Sequence, residues 1–348
     1  MSYTNGLDKP SDYFNTNLWT GTGSTQSITG VNFQPDWLWV KTRSTAANHR
    51  SQNSVIGAGY GMNPNQTVAE GFLSDCVTSF DSDGFTLGAD SQGYVNTSSR
   101  TYVGWSWLAS NTTASNTDGS ITSTVSANTT SGFSIVSYTG NGTAGATIGH
   151  SLGSTPSMII TKQRNSAGNW FVYHKSLPVT EYLILNSNVA SQTDNEIIYN
   201  DTTPSSTTFT VGNYSQINGS SNTFISYCFA EKKGFSKFGS YIGNGSSDGS
   251  FIYTGFKPAF VILKNTTNYD WHMFDNTRNA YNITNSSLKP NTSGAEYTND
   301  DVSVDLLSNG FKFRGTDIAI NQSGTNHIYM CFAENPFVTS TSIPCTAR

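Results

Sequence analysis

Charge is scarce in this chain. Asp, Glu, Lys and Arg make up 12% of its 348 residues, about half the usual share. The net charge is −5. That excludes the basic stripe a nucleic-acid partner needs. Long apolar runs are missing as well, so no transmembrane helix is expected and no membrane insertion. The opening Met1-Ser-Tyr-Thr-Asn-Gly-Leu-Asp-Lys-Pro10 has neither the basic nor the apolar region of a secretion signal. Synthesis in a reducing cytoplasm follows as an expectation. The four cysteines (Cys76, Cys228, Cys331 and Cys345) fit that, because disulfides are rare there. No window carries a helical apolar stripe through three turns. The best candidate, Thr67 to Cys76, is broken by Gly71.

What fills the gap is Asn, Ser, Thr and Gly, together with 13% aromatics. Such a mixture suits a β-protein with polar, uncharged faces. The chain also repeats itself. Pro35-Asp-Trp-Leu-Trp-Val-Lys41, Pro156-Ser-Met-Ile-Ile-Thr-Lys162 and Pro258-Ala-Phe-Val-Ile-Leu-Lys264 are apolar runs from a Pro to a Lys. A second run closes at Trp107, Phe229 and Phe332, which lie 72, 73 and 74 residues after the respective prolines. Glycine turns with an aromatic entry precede each Pro, at Trp19, Tyr138 and Tyr241, and an alternating strand opens at Phe85, Phe209 and Phe311. Two unlike motifs held three times at one separation mark an array of similar units. Residues 110–131 read as a polar linker. The expected units are 1–112, 113–232 and 233–348, each the size of one sandwich domain. The expected fold is all-β: three tandem β-sandwich units, jelly-roll or lectin-like, with little helix.

Few motifs point to chemistry. Gly149-His-Ser-Leu-Gly153 matches a nucleophile elbow, but that needs a strand before the Ser and a helix after it, and here Pro156 and a strand follow. Asp81-Ser-Asp-Gly84 and Asn116-Thr-Asp-Gly119 are fragments of calcium loops without the distal ligands. They read as Asx turns, and a calcium ion held between loops stays open. Glu70, Glu196 and Glu296 recur ahead of the Phe strand, where a carboxylate could fix a loop. Trp37, Trp39, Trp105 and Trp107 read as paired walls inside a sandwich, and the prolyl runs end on lysines that can snorkel to the edge. No catalytic residue, metal ligand or cofactor is assigned, and the chain is not read as an enzyme.

The units differ at one place. Asn169-Trp-Phe-Val-Tyr-His174 and Asp270-Trp-His-Met-Phe-Asp275 correspond, whereas the first unit has Asn48-His-Arg-Ser-Gln-Asn53. Trp170 and Trp271 follow a polar residue at a strand start, where exposure is expected. With His174 and Asp275 they form the candidate contact for a glycan or partner. Residues 1–112, lacking the tryptophan, are the candidate anchor.

Tyr13 to Gly21, Gly30 to Arg43, Thr78 to Gly88 and Ser137 to Gly142 resemble a repeat family found in virion proteins of marine bacteriophages, a domain labelled as of unknown function. The resemblance covers nearly the whole chain. It implies a phage structural protein on the virion surface and supplies no catalytic residue. The function it implies is a tail fibre or receptor-binding protein in host adsorption, contacting a host glycan or receptor. A capsid decoration or head-fibre protein is the alternative, and a polysaccharide-degrading tailspike the third. Other tail or capsid proteins are the implied partners, together with further copies of the chain, as a trimer.

Overall fold

The computed structural model describes residues 7–345. Residues 1–6, part of the opening Met1 to Pro10 on which the expectation of no secretion signal rests, lie outside that range. The regular structure of the described chain is almost entirely antiparallel strand, and its two α-helices, Ser215–Asn218 and Ile318–Asn321, are single turns. Twelve strands carry the architecture: β1 (Phe14–Thr20), β2 (Trp37–Thr42), β3 (Arg50–Asn53), β4 (Thr101–Trp107), β5 (Phe133–Thr139), β6 (Met158–Gln163), β7 (Trp170–His174), β8 (Thr223–Phe229), β9 (Ser236–Ile242), β10 (Phe256–Asn265), β11 (Trp271–Asp275) and β12 (Asn326–Pro336). They form sheets ordered β1-β4-β2-β3, β5-β8-β6-β7 and β9-β12-β10-β11. Each sheet puts the run that closes the motif beside the prolyl run, so both are buried strands with hydrogen-bonded neighbours on both sides.

Side chains on a strand alternate between faces, and here both faces are covered. One face of each sheet packs on a small layer of its own segment. These layers are Gln26–Thr29 with Gly84–Leu87 and Val77–Asp81, then Ala146–Gly149 with Thr208–Val211, then Phe251–Tyr253 with Gly310–Phe313 and Val304–Leu307. Three separate apolar clusters fill these sandwiches. The opposite faces of all three sheets meet in one further core, built from Trp37, Trp105, Tyr227, Phe229, Phe260 and Phe332 among others. Trp37 stacks on Tyr227 with ring centroids 4.3 Å apart, and Phe14 stacks on Phe332 at 5.1 Å. The tryptophan walls thus face this shared core and not a sandwich interior. Alternation shows that two residues share a face, but not which of two covered faces it is.

Two local expectations are corrected, and a third segment is placed. Residues 110–131 are not a linker: Ala114–Asn116 and Ser123–Asn128 are strands that extend the middle sheet beyond β5. Ser123, Val125 and Ser126 are buried there, and the Ser123 hydroxyl donates to the Gly149 carbonyl at 2.9 Å. Some of the polar residues that suggested a loop are spent on internal hydrogen bonds, Ser123 and Ser126 among them, while most of the others stay exposed. The lysines closing the prolyl runs do not snorkel, since Lys41, Lys162 and Lys264 are fully buried. No part of Thr67 to Cys76 is helical; Gly71–Phe72 pairs with Tyr60–Gly61 as a short ladder.

Candidate functional site

Trp170, His174, Trp271 and Asp275 are all buried, with at most 1% of each exposed. They lie on β7 and β11, between two sheets, and no surface platform is formed. This overturns the reading of these four as glycan contacts. A polar residue before the Trp suggested exposure, but Asn169 and Asp270 turn their side chains to Asn186, and to Lys289 and Asn291, across the adjoining loop.

Their register shows what they do instead. His174 lies opposite Met158, Asp275 opposite Phe260 and Asn53 opposite Trp37, four residues before the respective lysines. Each reaches into the next sheet. Asn53 Nδ2 donates to the Tyr227 hydroxyl at 2.9 Å, and His174 Nε2 donates to the Tyr329 carbonyl at 3.1 Å. Trp105 Nε1 in turn donates to Asp275 Oδ2 at 3.1 Å. The links run from the first sheet to the second, the second to the third and the third back to the first. A second set runs the other way. Trp170 Nε1 donates to the Asn63 carbonyl, Trp271 Nε1 to the Ile184 carbonyl and His49 Nε2 to the Lys289 carbonyl, at 3.2, 3.1 and 3.0 Å. Arg43 pairs with Glu296, and Arg164 with Glu70, each through two nitrogens. Glu70 and Glu296 thus fix loops by gripping a neighbouring segment. Glu196 takes no part in this, and Ser191 stands at the corresponding place, donating its N–H to the Thr266 carbonyl at 2.9 Å as Glu70 and Glu296 do to Arg164 and Arg43.

The buried ionisable groups belong to the same seams. Burial pulls Lys41 and Lys162 down to about 8 and Lys264 to about 7, against opposing attraction from Glu296, Glu70 and Asp270. Each ammonium donates to its own next carbonyl and to a carbonyl of another segment: Ser293 for Lys41, Thr67 for Lys162 and Asn188 for Lys264. Burial holds His174 and His272 at about 4 and about 3. Ser151 sits in a left-handed turn and accepts from Asn116 Nδ2, while both ring nitrogens of His150 face backbone groups, Ser205 O and Leu152 N. Asp83 accepts from the backbone of Gly30 and Asn32. The motif residues that hinted at chemistry are thus committed to turns.

Two surface cavities occupy equivalent places in the first and third segments. Met62 and Leu288 pair with Ser51 on β3 and Met273 on β11, and Glu70 and Glu296 follow eight residues later in both. The first cavity, about 160 Å³, is lined by Arg50, Asn63, Val68, Gly71, Gln92 and Tyr94. The second, about 250 Å³, is lined by Lys289, Thr292, Gly294, Ala295 and Tyr297. Each sets a cation over an aromatic ring: Arg50 lies 5.6 Å from the Tyr94 centroid and Lys289 5.3 Å from that of Tyr297. Lys289 is neutralised by Asp270 at 2.8 Å. Arg50 instead donates to the Gly71 and Gly59 carbonyls at 3.0 and 3.5 Å. It stands opposite Val40, the place that Phe171 and His272 take in the other sheets. Sequence reasoning passed over it, although the hairpin register alone marks an Arg where the counterparts are aromatic.

No curated protein and no solved structure matches the chain. The family model described as "Domain of unknown function (DUF7483)" matches residues 9–336, and the chain therefore belongs to that family.

Proposed function

We propose that the chain is three tandem repeat units, 1–112, 113–232 and 233–348, folded into one body, and that it is a structural protein of a bacteriophage virion displayed on the particle surface. On this reading it is non-catalytic and acts in host adsorption, as a tail-fibre or receptor-binding component that contacts a host glycan or receptor. The observation that carries it is the closed set of cross-sheet links. The inner faces and their titratable groups are spent on holding three like sheets together, which leaves outer surfaces of low charge to present to a partner. Weak sites presented on several copies gain strength by avidity. The virion assignment rests on the sequence resemblance.

Capsid decoration is the second reading, and one observation favours it. A single chain that already joins three like sheets by a closed set of links suits a threefold position without further copies. If the chain trimerises, the contacts come from outer surfaces. Reconstruction of the particle with the protein labelled distinguishes the readings: density at the tail tip supports adsorption, and density on the shell lattice supports decoration. Its absence from purified particles, or steady cleavage of a host polysaccharide by the isolated protein, sinks both.

A further inference from the structure

We infer that the cavity beside β3 binds an acidic sugar residue, with Arg50 as the group that recognises its anion. This names a ligand class for the adsorption reading and rests on that reading for its biological setting.

Arg50 is 4% exposed, and none of the ion pairs among the described residues includes it. Buried charges are ordinarily paired, because removing an ion from water is costly. Here the guanidinium donates to carbonyls, faces Tyr94 and packs against Gly61, and its Nε has no hydrogen-bonding partner among the described residues. The acids in this neighbourhood are already spent. Asp90 accepts the backbone N–H groups of Tyr94, Val95 and Asn96 at 3.0, 2.7 and 2.7 Å, and Asp75 that of Ser91 at 2.8 Å. A second buried group on the same cavity, Asn63 Oδ1, also lacks a partner, although Asn63 is only 4% exposed. An unpaired cation and an unpaired acceptor on one wall match a ligand that carries both an anionic group and a hydroxyl.

The exposed rings nearby, Tyr60 and Phe72, do not line the cavity. A Cβ on Gly61 would point at Arg50, so Tyr60 and its partner Phe72 lie on the outer face of the ladder. There they offer a stacking surface to a neighbouring pyranose that reaches over the rim. Tyr60 and Phe72 face each other across the short ladder that covers Arg50, with ring centroids 4.8 Å apart, and are 41% and 58% exposed. Arg50 binds the carbonyls of Gly59 and Gly71, each next to one of these aromatics. Large aromatics left in water beside a polar cavity mark a contact surface, and guanidinium pairs with planar carboxylate in two-point fashion. The segment expected to anchor the chain thereby becomes its binding segment. The equivalent cavity of the third segment, with Lys289 neutralised, accepts no such anion.

The test uses the full chain and NMR titration of the arginine Nε–H signals with tetragalacturonate, its methyl ester and a sulfated galactan tetrasaccharide. The proposal expects tetragalacturonate to shift the Arg50 signal and to saturate, with the ester at least tenfold weaker. The sulfated probe shows whether carboxylate or sulfate is the preferred anion; binding by either at Arg50 supports the site. Tyr60→Ala with Phe72→Ala, on the exposed ladder, should weaken binding about tenfold without changing the melting temperature, and Arg50→Gln should abolish it. If Arg50→Gln does not fold, the wild-type Nε shift and the aromatic pair still decide. Equal binding of the ester, no shift at Arg50, no binding of any acidic probe, or binding indifferent to Tyr60 and Phe72 overturns the proposal. None of these results touches the location of the protein on the particle, which tests the adsorption reading separately.

Discussion

At the scale of single residues, the polar groups in the seams are the exacting ones. Asp275 receives Trp105 Nε1 and pairs with Arg278 at 2.5 Å, both members buried. Arg278 also pairs with Glu296 at 3.0 Å, so removing Asp275 leaves the guanidinium with one carboxylate and strands the Trp105 N–H, at a cost of about 3 kcal/mol, the low end for a broken buried pair. Asp275→Ala should lose stability on that scale in urea unfolding, and Trp105→Phe much less. A loss within about 1 kcal/mol for Asp275→Ala contradicts the seam role. The histidines make a second prediction. Burial lowers all five, with His174 and His327 at about 4 and His272 at about 3. Folded histidines therefore stay neutral where unfolded ones, near 6.5, take up protons. The unfolded state binds more protons as pH falls, so this stability is complete above about pH 7 and is lost progressively between about 6.5 and 3. The melting temperature should start to fall well above the carboxylate range; a flat profile from pH 7 to 5 would contradict the burial of these rings.

Elements show how far the sequence was legible. The Pro-to-Lys and closing runs were readable as buried strands because apolar continuity is a local property. The assignment of Trp170 and Trp271 to a surface failed because the segments that cover them come from 63–66 and 184, far away in the chain. The strands within 110–131 were missed for a related reason: their serines and threonines look solvated until the acceptors across the sheet are known. Arg50 needed only hairpin register, and its meaning needed the cavity. Glycines mark another limit. At Gly84 φ is +147°, and a Cβ there would stand 1.9 Å from the Ile28 carbonyl oxygen. Gly310 meets Ile252 in the same way, at 2.1 Å. Gly310→Ala should cost at least about 1 kcal/mol, since the added methyl would collide with the Ile252 carbonyl oxygen. Hydrogen exchange should show protection lost first in Phe251–Tyr253 and Gly310–Phe313, with β10 and β12 still protected. Equal loss in both layers would contradict a separable outer layer.

For the whole molecule, the shared core means that no segment buries its inner face alone. Residues 1–112 by themselves would present Trp37, Trp39, Trp105 and Trp107 to water, although all four are buried in the intact chain. Such a fragment should be poorly soluble or bind a hydrophobic dye, while the whole chain should unfold in one transition by fluorescence and circular dichroism together. A soluble fragment with native-like tryptophan emission would show that the sandwiches are independent. The described ends lie together as well: Ser340 donates its backbone N–H to Asp8 at 2.8 Å, and Phe14 stacks on Phe332. Links that pass from sheet to sheet and return to the start have no privileged beginning. The chain can then be cut between β8 and β9, near residue 232, and its present ends joined by a short linker. A permuted gene that begins with the third sheet should yield a protein with the same core and nearly the same melting temperature, because sequential order is a matter of encoding that the assembled ring does not record.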